Sequence, residues 1–97
     1  MTPEGRVKAK LKKQLTDYGC FQFWPVQTGR GMPMVDCLAW RVNAESHSSY
    51  AIEVKREGIT KPTPRQAAIM REMRKVAVRT YVVTERNGEL VWLEQKD

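Results

Sequence analysis

The sequence predicts an α/β domain with one mixed sheet, in the order α-β-β-β-α-β-β. Three observations predict it. The first residues carry an apolar repeat at helical spacing. A second helix start, "TPRQ" at Thr63 to Gln66, stands well inside the chain. Between and after these two signals lie short β-branched and aromatic runs, parted by turn residues.

The first helix opens at Thr2-Pro3, an N-cap followed by proline at the first helical position. Val7, Leu11 and Leu15 recur every four residues and Tyr18 extends the stripe, while Lys8, Lys10, Lys12 and Lys13 fall at other angles. Gly19 ends the helix. "CFQFWPV", Cys20 to Val26, is the first strand, and the glycine-rich "QTGRGMP", Gln27 to Pro33, is a loop. Met34 to Val42 is the second strand, Asn43 to Ser49 a polar turn, and Tyr50 to Lys55 the third strand, so the second and third strands form a hairpin.

A basic connector, Arg56 to Thr63, leads to the second helix. There Thr63 is the N-cap, Pro64 takes the first position and Gln66 completes a capping box; Ile69, Met70, Met73 and Val76 form the apolar stripe. Arg79 to Thr84 is the fourth strand. Asn87-Gly88 turns the chain into a short last strand, Leu90 to Leu93.

A length of 97 residues fits a single domain, 1–97, with a core but little to spare. Hydrophobic residues at 41% and charged residues at 29% exclude a disordered chain. No apolar run approaches the roughly 18 residues of a membrane span, and "MTPEGRVKAK" lacks the apolar centre of a signal peptide. A cytoplasmic protein without membrane partners is expected. Cys20 and Cys37, with one histidine in the chain, do not make a zinc site and read as small apolar groups. The net charge of +6 attracts phosphate backbones or acidic surfaces.

In the third strand Ala51, Glu53 and Lys55 share one face, and Ile52 and Val54 the other, which fits a core. The second strand holds one acid, Asp36, between Val35 and Cys37. Strand interiors disfavour aspartate, and a half-buried carboxylate needs a partner. Hairpin pairing brings Asp36 to the end of the strand pair where Glu53 and Lys55 stand. Two converging carboxylates suit a hard divalent cation with oxygen ligands and retained waters. A neighbouring lysine can orient a water or stabilise charge developing on a phosphate. Each piece has an ordinary explanation by itself. Glu-x-Lys is also a common cross-strand pair, Gln66 is accounted for by its capping box, and Glu4 by the positive end of the helix dipole.

The set "TPEGRVKAKLKK", "PVQTGRGMPMVDCLA", "AIEVKREG" and "KPTPRQ", in that order, resembles the stand-alone VRR-NUC nucleases of phages and prophages, within the PD-(D/E)xK superfamily. The resemblance runs from about Thr2 to Val83. It implies a restriction-endonuclease-like core and a metal-dependent DNA endonuclease encoded by a phage or prophage in a bacterial host. It implies Asp36 and Glu53 as ligands of Mg²⁺ or Mn²⁺, the backbone carbonyl of Val54 completing the inner shell, and Glu4 assisting. Lys55 would position or activate the attacking water, Gln66 would lie at the edge of the site, and the products would carry 5′-phosphate. Small members resemble Holliday-junction resolvases and act as symmetric dimers, which implies a homodimer on branched or four-way DNA; Val91, Trp92 and Leu93 are apolar candidates for its surface.

Arg30, Lys61, Arg65 and the basic helices are expected to contact phosphates. Trp24, Trp40 and Trp92 read as core or interface, and His47 as surface. One departure stands out: family members commonly have a small residue just before the aspartate, whereas "GMPMVD" has Met34 and Val35 there. Two other readings fit the same composition, a non-catalytic nucleic-acid-binding module that retains the nuclease fold and an assembly protein with a basic surface.

Overall fold

A computed structural model describes residues 1–26, 34–42 and 47–96. The element order is α1 (Pro3–Asp17), β1 (Phe21–Phe23), β2 (Cys37–Val42), β3 (His47–Val54), α2 (Pro64–Arg74), β4 (Arg79–Arg86) and β5 (Glu89–Glu94). The predicted order α-β-β-β-α-β-β is the observed one. The glycine-rich loop at Gln27 to Pro33, with Arg30 in it, lies outside the described residues, as do residues 43–46 of the predicted turn.

The five strands form one sheet in the order β1-β2-β3-β4-β5. β1/β2, β2/β3 and β4/β5 are antiparallel, and β3/β4 is parallel. Parallel neighbours need a crossover, which α2 supplies.

Local chemistry sets the helix ends. At α1 the Thr2 hydroxyl accepts from the Gly5 N–H at 3.0 Å. At its other end Gly19, at φ +73°, takes a conformation that a side chain disfavours. There the Cys20 N–H reaches the Leu15 carbonyl and the Gly19 N–H the Thr16 carbonyl, both at 3.0 Å, the paired bonds of a Schellman cap. The predicted capping box at α2 is formed in both directions. α2 then stops at Arg74, so Val76 is not part of its stripe and is exposed. The chain turns away through Ala77, at φ 66°. Tyr18 likewise falls beyond α1 and is exposed.

The helices cover opposite faces of the sheet. Val7, Leu11 and Leu15 of α1 pack on Cys37, Ala39, Ile52, Val54 and Val83. Met70 of α2 packs with Val35 and Ala51, flanked by Leu38, Met73 and Val78. β3 is therefore buried on both sides, as the central strand of a helix-sheet-helix sandwich is. The expectation of one core face is corrected: Ala51 is as buried as Ile52 and Val54.

Strand lengths differ from the sequence reading. β1 keeps only Phe21–Phe23 of the predicted Cys20 to Val26, and pairs with Trp40, Ala39 and Leu38 of β2. β2 begins at Cys37 rather than Met34, since at Asp36 a side-chain bond replaces the ladder. β3 starts earlier, at His47, with Ser48 and Ser49 pairing to Arg41 and Trp40.

Candidate active site

The β2/β3 register pairs Cys37 with Ile52, which sets Asp36 beside Glu53 one step further out. Asp36 Oδ2 accepts the backbone N–H of Val54 at 2.9 Å. Its Oδ1 lies 3.6 Å from Lys8 Nζ on α1. Glu53 is buried at 3% exposure, although it is an acid on the strand face that also carries Ala51. Its Oε2 is buried with no hydrogen-bond partner. Its Oε1 lies 4.0 Å from Lys55 Nζ. Lys55 is itself tied to the sheet, its N–H donating to the Val83 carbonyl at 2.9 Å.

These surroundings push the Glu53 carboxyl up to about 9. Burial is the largest cause, followed by the hydrogen bond to and the negative charge of Asp36; Lys55 opposes the rise, and Glu4 adds to it. Two carboxyls this close in a dry place cannot both stay charged unaided. They either hold a proton between them or hold a cation.

Asp36, Glu53 and Lys55, chosen from the sequence, are thus brought together. Glu4 acts on Glu53 through its charge, but among the described residues no group of three or more His, Cys, Asp or Glu side chains is arranged to hold a metal. The donor set fits a hard divalent cation that keeps several of its own waters: two carboxylates, with one buried oxygen left unpartnered. At Gln66 the side-chain oxygen accepts the Thr63 N–H at 2.9 Å and the backbone N–H donates to the Thr63 hydroxyl at 3.2 Å, so both groups close the helix cap. Lys61 and Arg65 are exposed, as phosphate contacts need to be.

Sequence reasoning missed Lys8. It was one lysine among several on a basic helix, and only the docking of α1 onto the β2/β3 end singles it out. The other α1 cations have different work. Arg6 and Lys10 both pair with buried Glu85, and Lys10 also donates to the Gly88 carbonyl. Lys12 lies over the Trp24 ring and Lys13 pairs with Asp17. α1 is therefore less available to DNA than its composition implies. The C-terminal residues Val91, Trp92 and Leu93 are half-buried. The exposed aromatics among the described residues are instead Tyr18, just after α1, and Phe21, at 70% exposure, with Phe23 and Trp40 beside it on β1 and β2.

Among solved structures, the chain is similar to the Archaeoglobus fulgidus Hjc, a Holliday junction resolvase from an archaeal hyperthermophile. The TM-score is 0.68 and the identity 18%, over 96% of this chain and 73% of that one. It is also similar to a VRR_NUC domain, with a TM-score of 0.66 and 27% identity over 84% of each chain. No protein-family model and no curated protein sequence matches it. The strand order, the two covering helices and these two likenesses agree: the chain has a VRR-NUC/PD-(D/E)xK-like nuclease fold.

Proposed function

We propose that the protein is a divalent-metal-dependent DNA endonuclease. The observation that carries this reading is the pairing of Asp36 with a buried Glu53 whose Oε2 has no partner, with Lys55 alongside. A structural ion pair would leave no orphaned oxygen in a dry place, because an unsatisfied buried acceptor is costly. A Mg²⁺ or Mn²⁺ bound between Asp36 and Glu53 would supply a Lewis acid for the scissile phosphate and lower the pKa of a coordinated water.

The chain's own residues then divide the remaining tasks. Asp36 is held by the Val54 N–H through Oδ2, which leaves Oδ1, beside Lys8, as the oxygen for a cation. Glu53, as a carboxylate, would supply the second anionic oxygen to a bound cation. The Val54 carbonyl and Glu4 are proposed as further oxygen donors, the latter through a water. Lys55, only slightly exposed and beside Glu53, holds the attacking water in line and offsets charge on the phosphate. Gln66 stands on the first turn of α2, whose exposed Arg65 neighbour and Lys61 upstream contact the DNA backbone; Arg30 is proposed to join them.

Preference for branched DNA, including four-way junctions, is proposed from the likeness to a Holliday junction resolvase. A homodimer would give the paired sites that such a substrate needs, and the exposed Phe21, Phe23 and Trp40 are apolar surface that a second copy can cover. A phage or prophage origin and a cytoplasmic setting belong to the same reading.

The test incubates the protein with supercoiled plasmid in Mg²⁺, Mn²⁺ or EDTA, then compares four-way junctions, flaps and linear duplex. Nicking in metal that is lost in Lys55→Ala and Glu53→Gln supports the proposal. Salt-sensitive DNA retention without product in any metal favours the non-catalytic binding module instead, a reading to which the lack of a third acidic ligand among the described residues gives some weight.

A further inference from the structure

Away from the acidic cluster, a hollow of about 330 Å³ opens on the α1 face of the sheet. Tyr50, Tyr81 and Trp92, from three neighbouring strands, form one wall, with ring centroids 5.9 Å and 5.3 Å apart in succession. Arg41 and Arg79, both exposed, stand at its rim. Gln14 accepts the Trp92 indole N–H at 2.7 Å, which holds the indole in place and leaves the Gln14 amide NH₂ as a donor.

Tyr50 lies on β3 three residues before Glu53, about 10 Å along the strand, and its side chain falls on the opposite face of the sheet. The hollow is therefore separate from the acidic site. Tyr50, Tyr81 and Trp92 also pack against the α1-side core, and the hollow is the open space that remains beside them. Its chemistry is aromatic rings set at 50° and 77° to one another in succession, beside guanidinium groups, with that of Arg79 over the Tyr81 ring. Arg79 is balanced by Glu94, while Arg41 has no ion-pair partner among the described residues. That combination complements a planar ring carrying an anionic group, and aromatic walls with arginine are how proteins hold unpaired bases without reading sequence. The volume stands at the small end of ligand pockets, matching one nucleotide rather than a longer ligand.

We propose that this hollow is a nucleotide-binding pocket, taking a base against Tyr50, Tyr81 and Trp92 and a phosphate at Arg41. The nucleotide can be free or part of an unpaired DNA strand; the chemistry of recognition is the same. The pocket does not depend on the nuclease reading, because its binding needs neither metal nor cleavage.

The test titrates the full chain in EDTA with thymidine monophosphate and, separately, with 5′-phosphorylated four-residue oligothymidylate, followed by amide and indole NMR shifts. Saturable shifts at Trp92 and Tyr81 are expected, weakened at least about fivefold in Arg41→Ala and partly restored in Arg41→Lys. Glu53→Gln is expected to leave them unchanged. Binding of the mononucleotide identifies a free nucleotide as sufficient, and binding of the oligonucleotide alone identifies an unpaired strand. The proposal is overturned if neither ligand saturates, if Arg41→Ala binds as the parent does, or if the shifts centre on Asp36 and Lys55. It is also overturned if the pocket resonances move with protein concentration alone, which would make a second copy the occupant.

Discussion

The backbone N–H of Val54 donates to Asp36 Oδ2 at 2.9 Å, so one side chain both ends the β2/β3 ladder and fixes its own carboxylate at the candidate site. Structure and function are thereby loaded onto the same residue, and two substitutions separate them. Asp36→Ala removes the acceptor of a part-buried N–H and is expected to destabilise the fold by ~1–3 kcal/mol. Asp36→Asn retains an acceptor oxygen and is expected to unfold in urea close to the parent, yet to lose divalent-cation binding and plasmid nicking. Equal loss of stability in both variants would mean that the bond to Val54 contributes nothing.

Glu53 makes the metal-free protein sensitive to alkali. Its carboxyl is held up at about 9 in the folded state, chiefly by burial and by Asp36, against 4.5 when unperturbed. Between those values the folded chain keeps a proton that the unfolded chain has released, so stability falls as pH rises from about 4.5 to about 9. Thermal unfolding in EDTA at several pH values should show this fall in the parent and a flatter profile in Glu53→Gln. Parallel profiles would show that Glu53 is not held protonated. Added Mn²⁺ should stabilise the parent more as pH rises, because a cation displaces the proton.

Lys8 competes for the place that a cation would take. Its Nζ is 3.6 Å from Asp36 Oδ1, and its side chain is 34% exposed, so solvent screens the pair. An opposite charge at that distance and exposure contributes about 1 kcal/mol, or roughly fivefold in affinity. Lys8→Ala is expected to bind Mn²⁺ about fivefold more tightly by calorimetry, with little change in stability. Weaker binding in the variant would instead make Lys8 a support for the carboxylate.

What was legible in the sequence depended on the range of the interaction. The Thr63-Gln66 capping box closes within four residues, and so it was readable letter by letter. Asp36 and Glu53 are 17 positions apart, but an antiparallel hairpin has one simple register, and period-two alternation placed both acids at the same end. The extent of β1 was not legible, because it depends on which residues pair with the distant β2. The burial of Ala51 depended on α2 crossing to the far face. The choice of Lys8 over its neighbours depended on how α1 docks, which side-chain periodicity alone leaves open to a rotation of the helix. The aromatic hollow gathers α1 and all strands from β2 to β5, and no local pattern announces it.

Glu85 holds α1 to the far side of the sheet. Its carboxylate is almost fully covered and accepts from both Arg6 and Lys10, and Lys10 closes the arrangement on the Gly88 carbonyl of the β4/β5 turn. Lys10 first, then Arg6, draws the Glu85 carboxyl below its usual range, against the opposing effect of burial. A depressed acid contributes stability above its unfolded pKa and loses it as pH falls through the folded value. Glu85→Gln keeps the shape and removes the charge. It is expected to lower Tm by a few degrees near pH 7, and the gap should narrow as pH falls through the depressed folded value, where the parent carboxylate takes up a proton. Salt should narrow the gap only in part, since Arg6 and Lys10 reach solvent while Glu85 does not. Because α1 also carries Glu4 and Lys8 to the acidic site, loosening its anchor should change Mn²⁺ affinity without touching Asp36 or Glu53. A Glu85→Gln variant with a lowered Tm and unaltered Mn²⁺ affinity would show that the position of α1 does not tune the site.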